Sequence, residues 1–484
     1  MGTYEDLAGA HGRKIFYRAE RFKARDLFGR LVPEVDVGGL SLTLDDLSMS
    51  GLAGFADQEA SEHVRVGLEL PIRLRTGDAI LHHAKARICR VDPRHRGTRI
   101  ALNFVTNCLD VCHAVARHRE VSLRQELDLD LVPTNGLIAD EYRTLATDVV
   151  HMVRRYGAAL RRIASLGNGS AEANEARMTH ALNACEERLI PEWRMLWHRA
   201  NEIVAPIMSD PDKLRATKHF TELVVTPDFL DGPIWERSYR KPLGYPGDYE
   251  VMNQVYSWRR EGGTPLGKLL QRIGLDVAEC IATRMVMIQQ AIGQVVASAE
   301  TAGPLRITSI GCGPAQEVFN YLQLRSLSRP VEFTLVDPEH EAVSYAYRRI
   351  YPETVRLSPN AAVHGLEMSF AQIIKADDLV HKVPSQDLIY SVGLVDYLTL
   401  RRTRELVHRL YDQLAPGGLL IIGNMKDTPI GNLWPMEFIC DWSVNYRSEA
   451  EMLSLADGLD PASVAIKPDP TGRVLMLYLR KRRA

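Results

Sequence analysis

The stretch ITSIGCGPAQEVFNYL constrains the fold of this chain more than any other. An apolar run ends at Ile310, Gly311 and Gly313 strip two side chains from a tight turn, and a helical pattern begins near Ala315. Glycine at such a turn lets backbone approach a ligand with no Cβ in the way. VEFTLVD follows, a second apolar strand tipped with Asp337, and an acid at that strand end can accept hydrogen bonds from ribose hydroxyls. Strand, glycine turn, helix and acid-tipped strand in this order predict a nucleotide-binding α/β unit. The turn lacks GxxxxGKS/T, which excludes a P-loop, and has two glycines where a dinucleotide turn favours three.

Further strands and helices alternate downstream through DLIYSVG, TRELVHRLYDQL, GGLLIIGNM and RVLMLYLRK, which predicts a doubly wound, Rossmann-like sheet over 301–484. Residues 111–300 carry helical spacing, with Leu145, Val149, Met152, Val153 and Tyr156 on one stripe and Pro191 marking a kink or boundary. Residues 1–110 hold short alternating runs between turns, among them LSLTLDDLS and GTRIALNFV, the pattern of a small antiparallel β-barrel. The expected fold class is multidomain: barrel, helical middle region, α/β domain.

A chain of 484 residues can bury cores for all three, and its formal net charge of -2 gives no global pull toward nucleic acid or a membrane. The seven cysteines are odd in number and contain no CxxC pair, so a disulfide framework or zinc site is not expected. They read as reduced, mostly buried thiols, with Cys108 and Cys112 as a packing pair on one helix face. The N-terminus lacks a signal-peptide core and no run reads as a membrane span, so the expected location is the cytoplasm.

IGCGPA followed by VD, KADDL, DLIYSVGLVDYL and APGGLLII resembles class I S-adenosylmethionine-dependent methyltransferases over roughly Leu305 to Lys481. The resemblance implies that Gly311 and Gly313 cradle the methionine part of the cofactor and Asp337 holds the ribose. Asp377, or its neighbour Asp378, would reach the adenine, while Ser391, Gly393 and Leu394 would lie where sulfonium and acceptor meet. Ala315 replaces a third small glycine, and Ser309 stands near the place of an upstream acid.

In the first zone RFKAR carries Arg21 and Arg25, and LDDLSMSGL carries Asp46, Ser48 and Gly51. Two guanidiniums beside a polar strand end suit phosphate and guanine. RxxxR followed by DxSxxG and a small barrel resembles a PilZ domain, the bacterial cyclic di-GMP receptor, over about Ile15 to Asn107. The resemblance implies that Arg21, Arg25, Asp46, Ser48 and Gly51 contact the dinucleotide, with Arg18 and Arg90 secondary, and that the protein forms oligomers.

Groups near the ends of the fourth and fifth α/β strands are Asp396, Tyr397 and Asn424, and NLWPMEFICDWSVNYR adds Trp434, Glu437, Asp441, Trp442, Tyr446 and Arg447. Aromatic rings there suit a substrate wall and Arg447 suits a carboxylate, although Phe438 and Trp442 equally suit packing on the sheet. KPLGYPGDYEVMN, together with that stretch, resembles methyltransferases of 3-hydroxypalmitic acid methyl ester biosynthesis over about Asp140 to Lys481. The resemblance implies carboxyl O-methylation of a hydroxy fatty acid. Tyr245, Asp248, Tyr249 and Asn253 then read as a lid over the reacting centre, and altering Tyr245 or Asp248 should hurt turnover more than folding.

The expected protein is a cyclic di-GMP-responsive methyltransferase. Two alternatives stay open: an N-methyltransferase gripping a polyamine or amino-acid-like substrate with Asp248, Glu437 and Asp441, and a non-catalytic effector that binds both ligands.

Overall fold

The computed structural model describes residues 5–8, 14–17, 21–29, 31–56, 64–94, 97–130, 136–167, 169–243, 245–298, 303–324, 326–327, 329–368, 373 and 383–483. Arg18, Asp377 and Asp378 lie outside the described residues, as does the side chain of Arg25. Contacts divide the chain into two compact units, Met1–Pro133 and Thr134–Ala484. The first boundary expected at 110 therefore falls beyond the next helix, and none separates the helical region from the sheet.

In the first unit a two-stranded ladder joins β1 (Glu5–Ala8) and β2 (Lys14–Tyr17). Then come β3 (Phe22–Lys23), α1 (Ala24–Phe28), β4 (Glu34–Val37), β5 (Leu40–Ser48), β6 (Gly51–Ala56), β7 (Glu69–Thr76), β8 (Ala79–Arg94), β9 (Gly97–Phe104) and α2 (Val111–Asp130). Strands β5, β4, β7, β8, β9 and β6 pair antiparallel in that order, and β6 pairs back onto β5, so the sheet closes into a barrel. Closure follows from alternation: Leu42 and Leu44, Ile72 and Leu74, Ala86 and Ile88, Ile100 and Leu102 all point into one core. The seam at β6 needs glycine, since a Cβ on Gly51 would lie 2.1 Å from the Leu102 carbonyl oxygen. A bulge between Leu44 and Asp46 breaks the alternation and lets Asp45 and Asp46 reach the same arginine, Arg99.

The second unit opens with helices α3 (Asp140–Ser165), α4 (Ala171–Val204), α5 (Pro211–Val224), α6 (Thr226–Phe229), α7 (Pro233–Arg240), α8 (Tyr249–Ser257), α9 (Pro265–Val277) and α10 (Glu279–Ser298). Helix α4 runs unbroken through Pro191, which is neither a boundary nor a stop. Helix α10 is long and apolar enough to cross a membrane, contrary to the sequence reading, and half of its apolar window is buried inside the protein.

The sheet follows: β10 (Leu305–Ile310), α11 (Gln316–Gln323), β11 (Val331–Asp337), α12 (His340–Arg356), β12 (Ala361–Glu367), β13 (Gln386–Ser391), α13 (Leu400–Asp412), β14 (Leu414–Met425), α14 (Glu449–Ser454), β15 (Pro461–Pro468) and β16 (Val474–Lys481). Its order is β12-β11-β10-β13-β14-β16-β15, parallel through β14, with β16 antiparallel to both neighbours. Alternate residues of the inner strands face opposite cores. Leu388 and Tyr390 join the helices α3 to α10 in one, and Ile389 joins Leu406 and Leu410 of α13 in the other. The middle helices are thus one covering layer of the sheet, which is why they share its unit.

All seven cysteines are free thiols, and only Cys280, Cys312 and Cys440 are buried. Cys108 precedes α2 and, like Cys112, is exposed, so the expected packing pair is not formed.

Candidate active site

The strand order reverses beside β10, whose successor β11 lies on one side and β13 on the other. Open α/β sheets form a crevice outside the carboxyl ends of their strands at such a point. A cavity of about 480 Å³ opens there, in the size range of small-molecule and cofactor sites. The turns after β10, β11 and β13 supply one wall; α8, α10 and the segment after β14 supply the other.

Gly311 and Gly313 both face the cavity with positive φ, 67° and 49°. A Cβ on Gly313 would meet nothing within 4 Å, so conformation rather than packing calls for glycine there. Ala315 also adopts the left-handed conformation, as the last residue before α11. Asp337 is buried at the tip of β11; one oxygen accepts the Gly313 N–H at 2.9 Å and the other the Glu339 N–H at 3.0 Å. Burial pushes its carboxyl above the usual range against those two bonds. The acid thereby ties the glycine turn to the second strand. Gly393 and Leu394 line the cavity, whereas Ser391 is buried outside its wall with its Oγ unpartnered.

The segment before α8 contributes Tyr245 and Gly247 to the opposite wall, and the first residue of α8 contributes Tyr249. Gly247 lies flat on the Trp442 indole, where a Cβ would come within 2.5 Å of Cζ2. Trp442 in turn donates its Nε1–H to the Tyr397 hydroxyl at 2.9 Å. Tyr249 packs on Tyr345 with ring centroids 5.1 Å apart. Asp396 is buried in the wall and accepts the Met425 N–H at 2.8 Å.

Several expected site residues are placed otherwise. Asp248 is fully buried as the N-cap of α8, accepting the N–H groups of Glu250 and Val251, and its two oxygens take the Arg237 Nε at 2.9 Å. It braces the segment that leads into α8 and lies outside the cavity wall. Arg447 donates to the carbonyls of Val395 and Leu398, to Asn424 and to Thr403, clamping the ends of β13 and β14 instead of facing an acceptor. Glu437 is paired with Lys218, and Asp441 with Lys218 and Lys241. Asn253 lies on α8 and Tyr446 in the loop after β14, both outside the wall. Trp434 is wholly buried in the core.

Two wall residues carried no motif. Arg284 of α10 is buried there, its Nη1 3.7 Å from Asp396 Oδ2. Glu317, in the first turn of α11, accepts the Tyr390 hydroxyl at 2.8 Å, and burial pushes its carboxyl upward.

On the barrel, Arg21 pairs with Asp46 at 2.7 Å, and Arg99 donates to Asp45 at 2.9 Å and to Asp46 at 2.6 Å. Arg99 was not singled out in the sequence, because GTRIALNFV reads as a closing strand. Ser48 donates to the Gly51 carbonyl at 3.2 Å across the β5–β6 turn. Arg90 pairs with Asp92 at 2.9 Å.

No protein-family model and no curated protein matches the chain. Among solved structures, a possible exported protein from Bordetella parapertussis is 16% identical over 70% of this chain and 97% of its own, with a TM-score of 0.39. Magnesium protoporphyrin IX methyltransferase from Synechocystis PCC 6803 is 11% identical over 51% of this chain and 97% of its own, TM-score 0.34. The N-methyltransferase NodS from Bradyrhizobium japonicum WM9 is 15% identical over 41% of this chain and 96% of its own, TM-score 0.28.

Proposed function

We propose that the second unit is an S-adenosylmethionine-dependent methyltransferase acting on a carboxylic acid with an aliphatic chain, best matched by a hydroxy fatty acid. The observation that carries this is the meeting of Gly311, Gly313 and Asp337 with Tyr245, Tyr397 and Trp442 around one cavity at the switch point of the sheet. The residues fit the cofactor. Each Asp337 oxygen accepts one backbone N–H, and a carboxylate oxygen has a second lone pair for a ribose hydroxyl. Gly311 and Gly313 would take the methionine part; the adenine contact proposed for Asp377 or Asp378 rests on the sequence resemblance alone.

The cofactor supplies an electrophilic methyl on a sulfonium, and a carboxylate accepts it without a general base. The chain's own contribution is orientation and exclusion of water. Gly247 under Trp442, and Trp442 on Tyr397, fix the rings that would hold the acceptor.

Support for an apolar acceptor comes from a second, small cavity of about 40 Å³ that shares Ile281, Met436 and Trp442 with the first. Ile234, Trp235, Val251, Val255 and Val277 make it almost wholly apolar, which suits a short apolar part of the acceptor, with the rest of the chain left to the larger cavity. A polyamine would need free carboxylates, and Asp248, Glu437 and Asp441 are already paired with Arg237, Lys218 and Lys241.

The barrel is read as the cyclic di-GMP sensor of a cytoplasmic enzyme, with Arg21, Arg25 and Asp46 as its grip and Ser48 and Gly51 shaping the turn beneath them. Support comes from the motifs and from Arg21, whose pair with Asp46 could be exchanged for a phosphate.

The test is methyl transfer by the full chain from methyl-labelled cofactor to 3-hydroxyhexadecanoate, with and without cyclic di-GMP. A labelled methyl ester whose rate responds to the dinucleotide is expected. Identical rates at saturating dinucleotide remove the coupling. Binding of S-adenosylhomocysteine with no labelled product from this acid or a cell extract favours the non-catalytic effector.

A further inference from the structure

Arg284 is 6% exposed, lines the cavity, and has a buried Nε with no hydrogen-bond partner. Among the described residues its only close ionic neighbour is Asp396, at 3.7 Å, and the other oxygen of Asp396 is held by the Met425 N–H. The guanidinium also presses on Gly393, where a Cβ would lie 3.0 Å from Nη2. A buried guanidinium with unmade bonds costs stability, and fully satisfied polar groups are the rule in protein interiors. Water can fill a hydrogen bond but cannot neutralise the charge. A buried arginine in a cavity wall with an open fork is therefore an anion receptor.

The neighbours select the anion. Glu317 opens on the same cavity close enough to feel the Arg284 charge, and Asp396 flanks it. A dianionic phosphate would be repelled by these carboxyls, whereas a carboxylate carried beside an ammonium group satisfies both signs at once. Glu317 further provides a buried acid on the cavity side of the glycine turn, where the sequence has Ser309 in place of the upstream acid.

We propose that Arg284 and Glu317 form a subsite for an α-amino-acid zwitterion, with the carboxylate on the guanidinium and the ammonium on Glu317. The inference rests on the methyltransferase reading in assigning that zwitterion to the amino-acid end of the cofactor; a free amino acid presents the same chemistry.

Calorimetry on the full chain separates the cases, using S-adenosylhomocysteine, 5′-methylthioadenosine (the same nucleoside without the amino-acid end) and L-methionine as probes. Wild type should bind S-adenosylhomocysteine far more tightly than methylthioadenosine. Arg284→Met should weaken S-adenosylhomocysteine about 30-fold and Glu317→Gln about 10-fold, with methylthioadenosine unchanged. Arg284→Lys should recover part of the loss, since it keeps the charge without the fork. Unchanged S-adenosylhomocysteine binding in Arg284→Met, or equal loss for both nucleosides, overturns the subsite. Arg284-dependent binding of L-methionine without any nucleoside binding would keep the subsite and overturn the methyltransferase reading instead.

Discussion

Arginine meets aspartate in both units, to different effect. On the barrel, Arg21, Lys23 and Arg99 surround Asp45 and Asp46 at distances of 2.6 to 3.0 Å. In the cavity, Arg284 stands 3.7 Å from Asp396 with an unpartnered Nε, and burial holds Asp337, Asp396 and Glu317 above the usual carboxylate range. The barrel charges are partly solvated and satisfy one another, so each pair contributes little stability. The cavity charges are desolvated and incompletely matched, a cost that a ligand of complementary charge would relieve. The barrel's partners must be displaced by a ligand; the cavity's are waiting for one.

If pairing rather than depth makes the difference, Asp248 is the strongest lever. It is as buried as the cavity acids, yet Arg237 and two backbone N–H groups satisfy it. Asp248→Asn should lower the unfolding free energy by about 3 kcal/mol in urea titrations, because it breaks a buried pair from one side. This reverses the sequence expectation that turnover would suffer more than folding. A loss no greater than that of an exposed pair would break the comparison. Next in size is Arg99→Met, which leaves Asp45 and Asp46 adjacent with less countercharge and should cost about 1 kcal/mol, shrinking in high salt. Stabilisation by Arg99→Met would show that the barrel charges do not satisfy one another and would erase the distinction between the two regions.

The sequence made the barrel and the sheet readable where periodicity was clean: LSLTLDDLS alternates as a barrel strand must, and ITSIGCG runs apolar into its turn. Strands β12 and β15 escaped notice because both are sheet edges with mostly half-buried or exposed residues, AAVHGLE and PASVAIKP. The two glycines were legible because positive φ selects their residue type, and Asp337 because it is an acid at the tip of an apolar strand. Arg284 and Glu317 were not, since a charge on an apolar helix reads as its solvent face and only the packing of α10 and α11 turns it inward. Asp248 was legible as important and misread as chemistry: an Asp preceding a helix is first an N-cap.

The smallest predicted effect is in pH dependence, where the two regions should act on opposite limbs. For Asp45, burial raises the carboxyl but the bonds from Lys23 and Arg99 outweigh it, leaving the group below its ordinary 3.8. The native state then sheds that proton more readily than the unfolded state, so the stabilisation is present above pH 3.8 and is lost as pH falls through the native value. For Glu317, burial dominates the opposing Tyr390 bond and Arg284 charge, and the carboxyl lies above its ordinary 4.5. The native state keeps a proton that the unfolded state releases, so its stabilisation is present below pH 4.5 and is lost as pH rises through the native value. Urea titrations of the full chain across pH 3 to 8 should therefore show Asp45→Asn flattening the acid limb by a few tenths of a kcal/mol. Glu317→Gln, which can still accept the Tyr390 hydroxyl, should flatten the decline above pH 4.5. A Glu317→Gln profile that changes only on the acid limb would place that carboxylate among the compensated charges, with the barrel's, and leave Arg284 alone to mark the cavity as unfinished.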